Sequence, residues 1–371
     1  MRIGFEAKRV FHNNTGLGNY GRDVIRILKD YTSIETFLLY NTKPSTIKRI
    51  DTSGRIKVKY PESTLWKKLS AIWRLGPVIN QIKKDNINLY HGLSGELPAG
   101  LKKNHIPTVV TIHDLIFLSH PQYYSFFDKI IHKKKFSHAA KNATKVIAIS
   151  EQTKRDIVKY LKIDERKIEV VYQGCNDAFK QTYTNIEKEE VKKKYQLPQE
   201  YILNVGTIEE RKNALTIVKA IKDTPYHLIL IGGEKEYAKK IHAYIETNNL
   251  KTQVRFLKNI STKELAIIYQ LATVFCYPSL CEGFGIPIIE ALFSKTPVIT
   301  SRGNCFPEAA GPNSIFIESK DNKALKIELE KLFSDAELRN NISEEGYKYA
   351  HRFSDENVAK NLFNVYKSIV K

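Results

Sequence analysis

Two glutamates frame a glycine-rich turn late in the chain. The segment Ser279–Ala291 places Glu282 before a Gly-Phe-Gly turn and Glu290 after it, and Pro287 suits the first turn of a helix. We therefore expect Glu282 just before that helix and Glu290 one to two turns inside it. Amides at the start of a helix bind phosphate or hydroxyl oxygens, and a carboxylate accepts hydrogen bonds from a vicinal diol such as that of ribose. The segment predicts a site for a phosphorylated ligand rich in hydroxyl groups.

Two adjacent cations follow a predicted strand in the same half of the chain. The segment Gly206–Asn213 comes directly after the apolar run Tyr201–Val205 and contains Arg211 and Lys212. Basic side chains at such a position can clamp a diphosphate, and each charge-assisted hydrogen bond contributes roughly 1.5–3 kcal/mol when shielded from water. Neighbouring basic residues are also common on a lysine-rich surface, so this segment alone leaves both interpretations open.

A glycine pair near the N-terminus offers a second place for phosphate. Gly16 and Gly18 lie in the segment Thr15–Gly21, ahead of a helical pattern over Arg22–Lys29. Glycines before a helix let backbone amides approach a phosphate closely. A simple turn explains the pair equally well.

A histidine at the end of a buried strand is the remaining candidate for chemistry. His113 and Asp114 follow the apolar run Thr108–Ile112, and His91 occupies an analogous but less telling place. A histidine there can hydrogen-bond a sugar hydroxyl or relay a proton near neutral pH. The alternative is a structural histidine oriented by Asp114.

The elements that must position these residues alternate along the whole chain. With 371 residues, 42% of them hydrophobic, the protein is too long for one ordinary core and suits two domains. Short apolar runs without strict alternation are typical of strands buried on both faces, and helical patterns separate them. The strands are predicted at Arg2–Phe5, Thr36–Tyr40, Ile87–Tyr90, Thr108–Ile112, Lys145–Ile149, Ile168–Tyr172, Tyr201–Val205, His227–Ile231, Val254–Leu257, Val274–Tyr277 and Pro297–Thr300. The pattern predicts two doubly wound parallel sheets, with ligands beyond the carboxyl ends of their strands.

The formal charge of +19 is carried mostly by the first half of the chain. An anionic partner explains this asymmetry, and a membrane surface, a phosphorylated acceptor, nucleic acid or a merely solubilising surface all remain open. The segment Leu65–Arg74 predicts a helix with one apolar face beside cations, suited to a membrane interface, and Lys133–Lys135 adds charge. No apolar run approaches the roughly 20 residues of a membrane span, and no signal peptide is visible. We expect a cytoplasmic protein, with peripheral contact to the inner face of the cell membrane as an open alternative.

Neither a metal site nor a disulfide framework is indicated. The four cysteines form no C-x-x-C pair, and Asp-x-Asp, the usual carboxylate site for a metal that bridges a diphosphate, does not occur. We therefore expect no metal and no cofactor.

Taken together, these motifs resemble family four of the retaining GT-B glycosyltransferases across nearly the whole chain. The resemblance rests on the Glu282-x7-Glu290 element, the glycine loop, Gly206–Asn213, Pro307–Gly311 and the final helix. It implies two Rossmann-like domains that face a central cleft, an acceptor-side domain over 1–178, a donor-binding domain over 185–352, and a C-terminal helix over 353–371 that crosses back to the first domain.

The resemblance also implies roles for particular residues. Glu282 would contact the donor sugar and Glu290 the ribose, Arg211 and Lys212 would hold the diphosphate, and His113 would touch the sugar near the reacting carbon. The implied catalytic residues are His113, Glu282, Arg211 and Lys212; the implied donor-binding residues are Gly16, Gly18, Thr207, Arg211, Lys212, Gly283, Phe284, Gly285, Ile286 and Glu290. Many members of the family carry an arginine where this chain has Thr207, which leaves the clamp to Arg211 and Lys212, as in a subgroup that includes O-antigen mannosyltransferases.

The function implied is a retaining, metal-independent transfer of a hexose from a nucleotide diphosphate sugar, with GDP-mannose favoured, to a glycan or lipid-linked acceptor in surface polysaccharide synthesis. A UDP-sugar-dependent transferase of the same family is the main alternative. A nucleotide-sugar epimerase and a nucleic-acid-binding protein are weaker ones, and the chain lacks RNA-recognition and helix-turn-helix signatures. We expect no specific nucleic-acid partner.

Overall fold

The computed structural model describes residues 1–370 and divides into two compact units. The first comprises residues 1–173 together with the C-terminal segment from Ser354, and the second comprises Gly174–Phe353. The unit boundary at Gly174 lies inside the stretch assigned to the first domain from the sequence, which extended to residue 178.

The first unit is built on a seven-stranded sheet in which every pairing is parallel. The strand order is β3-β2-β1-β4-β5-β6-β7. The strands are β1 Arg2–Glu6, β2 Thr36–Tyr40, β3 Ile56–Lys59, β4 Leu89–Gly92, β5 Thr108–Ile112, β6 Lys145–Ala148 and β7 Ile168–Val170. The helices are α1 Lys8–His12, α2 Gly16–Tyr31, α3 Thr64–Lys68, α4 Ser70–Trp73, α5 Ile79–Lys84, α6 Ile116–Ser119, α7 Phe126–Asn142 and α8 Glu151–Asp156. This is the doubly wound arrangement that the apolar runs predicted.

The second unit repeats the scheme with a six-stranded parallel sheet. Its order is β10-β9-β8-β11-β12-β13. The strands are β8 Ile202–Val205, β9 Leu228–Ile231, β10 Val254–Leu257, β11 Val274–Tyr277, β12 Val298–Ser301 and β13 Ile315–Ile317. The helices are α9 Asn185–Tyr195, α10 Ala214–Ala220, α11 Tyr237–Thr247, α12 Thr262–Leu271, α13 Ile286–Phe293, α14 Phe306–Ala310, α15 Asn322–Ser334 and α16 Ala336–Ala350.

Two strands were missed from the sequence, and both lie at a sheet edge. β3 and β13 each have a single buried residue, Ile56 and Ile317 respectively. An edge strand has less of its surface covered than a central one, so it does not need the continuous apolar run by which the central strands were recognised.

The helix predicted over Leu65–Arg74 is wrong in two respects. The backbone at Leu69 (φ −103°, ψ 35°) separates α3 from α4, so no continuous helix forms. Trp73 is only 3% exposed and packs into the core of the first unit, whereas Leu65 and Ile72 are more than half exposed. The apolar residues therefore do not share one face.

The last helix, α17 (Asp355–Lys367), belongs to the first unit. Ser354 caps it, as its sequence predicted, by accepting a hydrogen bond from the amide of Asn357. Leu362 packs with α2 and β1 in one core cluster, and Asp355 lies 2.9 Å from a guanidinium nitrogen of Arg26 on α2. Buried apolar contact and this ion pair together hold the helix against α2.

Shortening Leu362 should loosen the first unit selectively. Leu362→Ala leaves a cavity in a fully buried position and is expected to cost about 2–5 kcal/mol. Hydrogen exchange should then show faster exchange at amides of α17, α2 and β1. Lys360→Ala, at an exposed position of the same helix, is the control. Equal protection in Leu362→Ala and the control would contradict this packing.

Candidate active site

The site in the second unit forms where β8 and β11, neighbours in the sheet, reach their carboxyl ends. β8 leads into a short 3-10 turn over Glu210–Lys212, and β11 leads into the turn before α13. The amide of Leu280 donates to the carbonyl of Arg211 at 2.8 Å, and the side-chain amide of Asn213 donates to the carbonyl of Pro278 at 3.0 Å. Two segments far apart in sequence are thus fixed side by side.

Arg211 and Lys212 converge on the carboxylate of Glu282. Nη1 of Arg211 lies 2.7 Å from Oε2, and Nζ of Lys212 lies 2.5 Å from Oε1. The hydroxyls of Tyr277 and Ser279 also donate to Oε1, at 2.9 and 2.8 Å. Three of the residues predicted to act together are therefore in direct contact.

The charges in this cluster stabilise one another. Burial alone would raise the pKa of Glu282, but the charges of Lys212 and Arg211 and the hydrogen bonds from Lys212 and Ser279 outweigh it and lower that pKa to about 2. Desolvation opposes the charge on Arg211, yet Glu282 raises the net pKa of its guanidinium. A second carboxylate, Glu209, accepts a hydrogen bond from Nη2 of Arg211 at 2.8 Å. The carboxylates of Glu282 and Glu209 and the guanidinium of Arg211 are therefore ionised at neutral pH.

Glu290 lies in a different environment. It is in the second turn of α13, as the sequence predicted, and Oε2 accepts a hydrogen bond from the hydroxyl of Tyr269 at 3.1 Å. Burial raises the pKa of Glu290 to about 7, and the hydrogen bond from Tyr269 only partly offsets that rise. The two carboxylates of the motif are thus tuned in opposite directions.

The turn between the two glutamates provides the backbone that starts α13, and it also provides one side chain of the core. Gly285 caps α13 with φ +110°, a conformation that favours glycine, and α13 begins at Ile286. Phe284 is 2% exposed and its ring packs edge-on against Phe353, so its side chain belongs to the core. Any ligand contact at Phe284 must therefore involve its backbone. The predicted ligand contact at Gly283 stays a prediction. Thr207, after β8, is exposed.

His113 directly follows β5 in the first unit, and both of its ring nitrogens are engaged. Nε2 lies 2.9 Å from the carbonyl of Leu93, and Nδ1 lies 3.3 Å from the side-chain nitrogen of Gln173. A carbonyl only accepts, so Nε2 carries the proton and Nδ1 accepts from Gln173. Burial lowers the pKa of His113 to about 4, so the ring is neutral at pH 7. A hydrogen bond from this ring to a sugar would require one of the two contacts to open.

A buried polar network lies behind His113. Tyr20 packs against the imidazole, with ring centroids 4.5 Å apart, and its hydroxyl lies 3.1 Å from Oγ1 of Thr111. Oγ1 of Thr111 lies 2.8 Å from Nε2 of His91, whose Nδ1 lies 2.7 Å from the hydroxyl of Tyr366 on α17. His91 is therefore a satisfied core residue.

Gly16 and Gly18 lie within the first turn of α2, whereas the sequence placed them in a loop before the helix. A Cβ at Gly18 would come within 2.2 Å of the carbonyl oxygen of Asn13, so this glycine lets the segments pack closely. The Gly18 amide already lies 3.0 Å from the carbonyl of Thr15. The donor contact predicted for the two glycines stays a prediction.

Several residues of these clusters were not singled out from the sequence. Tyr277 and Ser279 complete the shell of Glu282, and Tyr20 supports His113. Tyr277 is the last residue of a predicted strand, and Tyr20 lies inside the glycine segment. Their positions next to the predicted site segments could therefore have identified them as site residues. Among residues 1–370, no group of three or more His, Cys, Asp or Glu side chains is arranged to hold a metal ion.

Two doubly wound parallel sheets, one carrying a cation–carboxylate cluster at its strand ends, are the architecture of a GT-B glycosyltransferase. Residues 33–179 match the model of glycosyltransferase family 4, and residues 185–349 match that of the glycosyl transferases group 1. The chain therefore belongs to the family 4, or group 1, glycosyltransferases, and it is a transferase enzyme.

Known proteins with similar sequence or fold are consistent with this assignment. O-antigen chain mannosyltransferase B of Escherichia coli is 25% identical over 389 residues, which cover 99% of this chain and 100% of that protein. O-antigen chain mannosyltransferase RfbU of Salmonella typhimurium is 32% identical over 219 residues, 58% of each chain. The fold matches that of Anabaena HepE, solved in complex with UDP-glucose, with a TM-score of 0.75 at 16% identity over 99% of this chain and 100% of that one.

Removing the ionisable group at residue 290 should change how stability depends on pH. The pKa of Glu290 is about 7 in the folded protein against an ordinary value of 4.5, so the folded state holds a proton that the unfolded state releases between these values. Stability should therefore fall as the pH rises from 4.5 to 7, by about 3 kcal/mol in total. Glu290→Gln should lose this slope and be the more stable protein at pH 8, as measured by chemical denaturation.

Glu282→Gln is the matched comparison. The pKa of Glu282 is already low, so its replacement should destabilise the protein across pH 5–8 without altering the slope. An unchanged pH slope in Glu290→Gln would show that Glu290 is not the buried titrating group.

Proposed function

We propose that the protein is a retaining, metal-independent transferase that moves a hexose from a nucleotide diphosphate sugar to a glycan or lipid-linked acceptor in surface polysaccharide synthesis. The observation that carries the proposal is the convergence of Arg211 and Lys212 on Glu282 at the carboxyl ends of β8 and β11. GDP-mannose is the favoured donor because two of the similar proteins are O-antigen mannosyltransferases. HepE was solved with UDP-glucose, which keeps a UDP-sugar as the alternative donor.

The cations supply the charge that a diphosphate requires. An ammonium carries three N–H donors, and Lys212 uses two of them on Tyr277 and Glu282, so it can bind a phosphate oxygen while it keeps both contacts. Arg211 is held rigidly by Glu282, Glu209 and the carbonyl of Cys281. Prepositioned positive charge stabilises a departing nucleoside diphosphate without reorganisation. This is why the proposal assigns no role to a metal ion.

The proposed reaction exchanges one bond at the anomeric carbon. The acceptor oxygen forms a bond to that carbon on the face from which the bond to the β-phosphate oxygen breaks, so the configuration is retained. The acceptor proton passes to a β-phosphate oxygen, and the bonding electrons leave with the nucleoside diphosphate. Glu282 positions the cations and the sugar and forms no covalent bond to the substrate.

Glu290 is suited to the ribose of the donor. An ionised carboxylate accepts two hydrogen bonds from a vicinal diol more strongly than a protonated one does. Because the pKa of Glu290 is about 7 before the donor binds, donor affinity should be greater above neutral pH than at pH 6. This proposal makes Glu290 the pH-sensitive part of donor recognition.

Replacing Arg211 tests the clamp. Arg211→Ala removes a shielded, charge-assisted contact to the diphosphate and is expected to lower kcat/KM by about 10- to 100-fold. Arg211→Lys should retain more activity, since it keeps the positive charge. The control is Lys235→Ala, which removes a largely exposed cation that pairs with Glu209. Turnover by Arg211→Ala within about twofold of the wild-type rate would contradict the clamp.

The surface of α7 supports peripheral contact with an anionic membrane. Phe126 and Phe127 are 67% and 75% exposed, Ile130 and Ile131 are each 50% exposed, and the exposed lysines of Lys133–Lys135 follow on the same helix. Exposed aromatic and aliphatic side chains beside cations suit the headgroup region of a bilayer. This surface replaces the broken Leu65–Arg74 helix as the stronger candidate. No helix among residues 1–370 is both long and apolar enough to span a bilayer.

Polar residues at the tip of α7 should weaken membrane binding. Phe126→Ser/Phe127→Ser is expected to reduce co-sedimentation with vesicles rich in anionic lipid by about tenfold or more, because two exposed aromatic groups no longer insert. Ile186→Ser/Ile327→Ser removes two exposed apolar side chains from the second unit and serves as the control. If both double variants bind vesicles as the wild type does, α7 is not the membrane contact.

A further inference from the structure

We propose that the first unit contains a second anion site, formed by Arg9, Arg74 and Lys135 around Glu96. This site binds the phosphate or diphosphate group of a lipid-linked acceptor. The inference rests on the proposed function and names the chemistry of the acceptor.

The three cations come from separate elements and meet at one carboxylate. Nη1 of Arg74 lies 2.6 Å from Oε2 of Glu96, whereas Nη2 of Arg9 and Nζ of Lys135 lie 3.4 and 3.6 Å from Oε1. A strong charge-assisted hydrogen bond is about 2.7–2.9 Å long. Arg74 is therefore firmly held, while Arg9 and Lys135 are near Glu96 but not tightly bound to it and can turn toward another anion.

The loop that presents Glu96 has a specific shape. It follows β4, and a Cβ at Gly92 would lie 2.2 Å from the carbonyl oxygen of Glu96. Gly95 has φ +71°, and a Cβ there would lie 2.7 Å from the ring of Phe136 on α7. Only glycine allows the backbone to pass this closely. The loop is thus fitted between β4 and α7, with Glu96 directed at the cations.

Positive charge is in excess at this place. Three cations face Glu96 and the more distant Glu6, which is the last residue of β1 and lies 3.9 Å from Arg74. Burial raises the pKa of Glu6, although the charge of Arg74 opposes this rise. Nε of Arg74 is buried without a hydrogen-bond partner. An additional anion would balance the positive charge of the cluster.

The cations can be reached from solvent. The side chains of Arg9 and Lys135 are 35% and 46% exposed, in contrast to 16% for Arg74 and 13% for Glu96. The cluster also lies at the strand ends where ligands bind in open α/β sheets, and the charge of Arg9 is close enough to contribute to the low pKa of His113. An anion here would sit near the end of β5.

A lipid-linked group fits better than free phosphate because of what lies along α7. Phe127, Ile131 and Lys135 are spaced four residues apart and so share one face of the helix. The exposed apolar surface therefore leads along the same face to the cation that pairs with Glu96. An amphiphile with an anionic head and an apolar chain matches this sequence of groups.

Calorimetric titration of the full chain with farnesyl diphosphate, inorganic pyrophosphate and farnesol tests the site. Arg9→Gln/Lys135→Gln should bind farnesyl diphosphate at least tenfold more weakly than the wild type. Lys102→Gln/Lys103→Gln changes the net charge equally at exposed positions of the same unit and should bind within about twofold of the wild type. Arg211→Ala, which weakens the proposed donor clamp, should do the same.

Four outcomes would overturn the proposal. If Arg9→Gln/Lys135→Gln and Lys102→Gln/Lys103→Gln lose farnesyl diphosphate binding equally, the effect is one of net charge and not of a site. If only Arg211→Ala loses it, the ligand binds at the donor cluster. If Arg211→Ala binds pyrophosphate as tightly as farnesyl diphosphate, the apolar chain contributes nothing and the ligand is not a lipid. If it binds farnesol as tightly as farnesyl diphosphate, the anionic group contributes nothing and the cluster is not an anion site.

A donor measurement separates this inference from the proposed function. Thermal protection by nucleotide sugars should be the same in Arg9→Gln/Lys135→Gln as in the wild type. If no nucleotide sugar protects the wild type, the proposed function fails while the farnesyl diphosphate titration still decides whether the anion site exists.

Discussion

The pairing of Glu282 with two cations holds the candidate site of the second unit together. A carboxylate that is 10% exposed would normally resist ionisation, and Arg211 and Lys212 would repel each other if they stood alone. Together, with the hydroxyls of Tyr277 and Ser279 donating to one oxygen, they form a fixed ionic group in which Lys212 keeps an unused donor. The parallel sheet makes this possible, because adjacent strands β8 and β11 deliver their following loops to the same edge.

The first unit also contains a carboxylate that pairs with several cations. Glu96 gathers Arg74, Arg9 and Lys135 at the ends of strands, much as Glu282 gathers its two cations. In each case a carboxylate prevents repulsion between cations while no ligand is bound, and in each case a cation keeps donor capacity for a further acceptor. Such clusters are poised for anions, which is the chemistry that a nucleotide donor and a phosphorylated acceptor share.

Much of the architecture could be predicted from the sequence because central strands of parallel sheets must be apolar on both faces. The runs at Thr36–Tyr40, Thr108–Ile112 and Val274–Tyr277 coincide with observed strands. The edge strands β3 and β13 lack that signal. The helix predicted at Leu65–Arg74 is wrong because an apolar stripe does not reveal where the backbone breaks or which of its apolar side chains stay exposed.

The site was predictable in residue type but not in its contacts. The Glu-x7-Glu spacing placed Glu290 in the second turn of α13, yet nothing in the sequence showed that Glu282 would bind the cations themselves, which lie 70 positions away. Contacts over such separations depend on how two loops pack. Likewise, the sequence did not show that the ring nitrogens of His113 would be engaged by the carbonyl of Leu93 and the side chain of Gln173.

A calorimetric comparison of GDP with GMP shows whether Arg211 and Lys212 bind a diphosphate. If Arg211 and Lys212 grip a diphosphate, the wild type should bind GDP at least about tenfold more tightly than GMP, because the β-phosphate adds a charge-assisted contact. In Lys212→Ala the ratio of GDP affinity to GMP affinity should fall close to one, while GMP affinity itself changes little. The same GDP preference in wild type and variant would show that Lys212 does not bind the diphosphate.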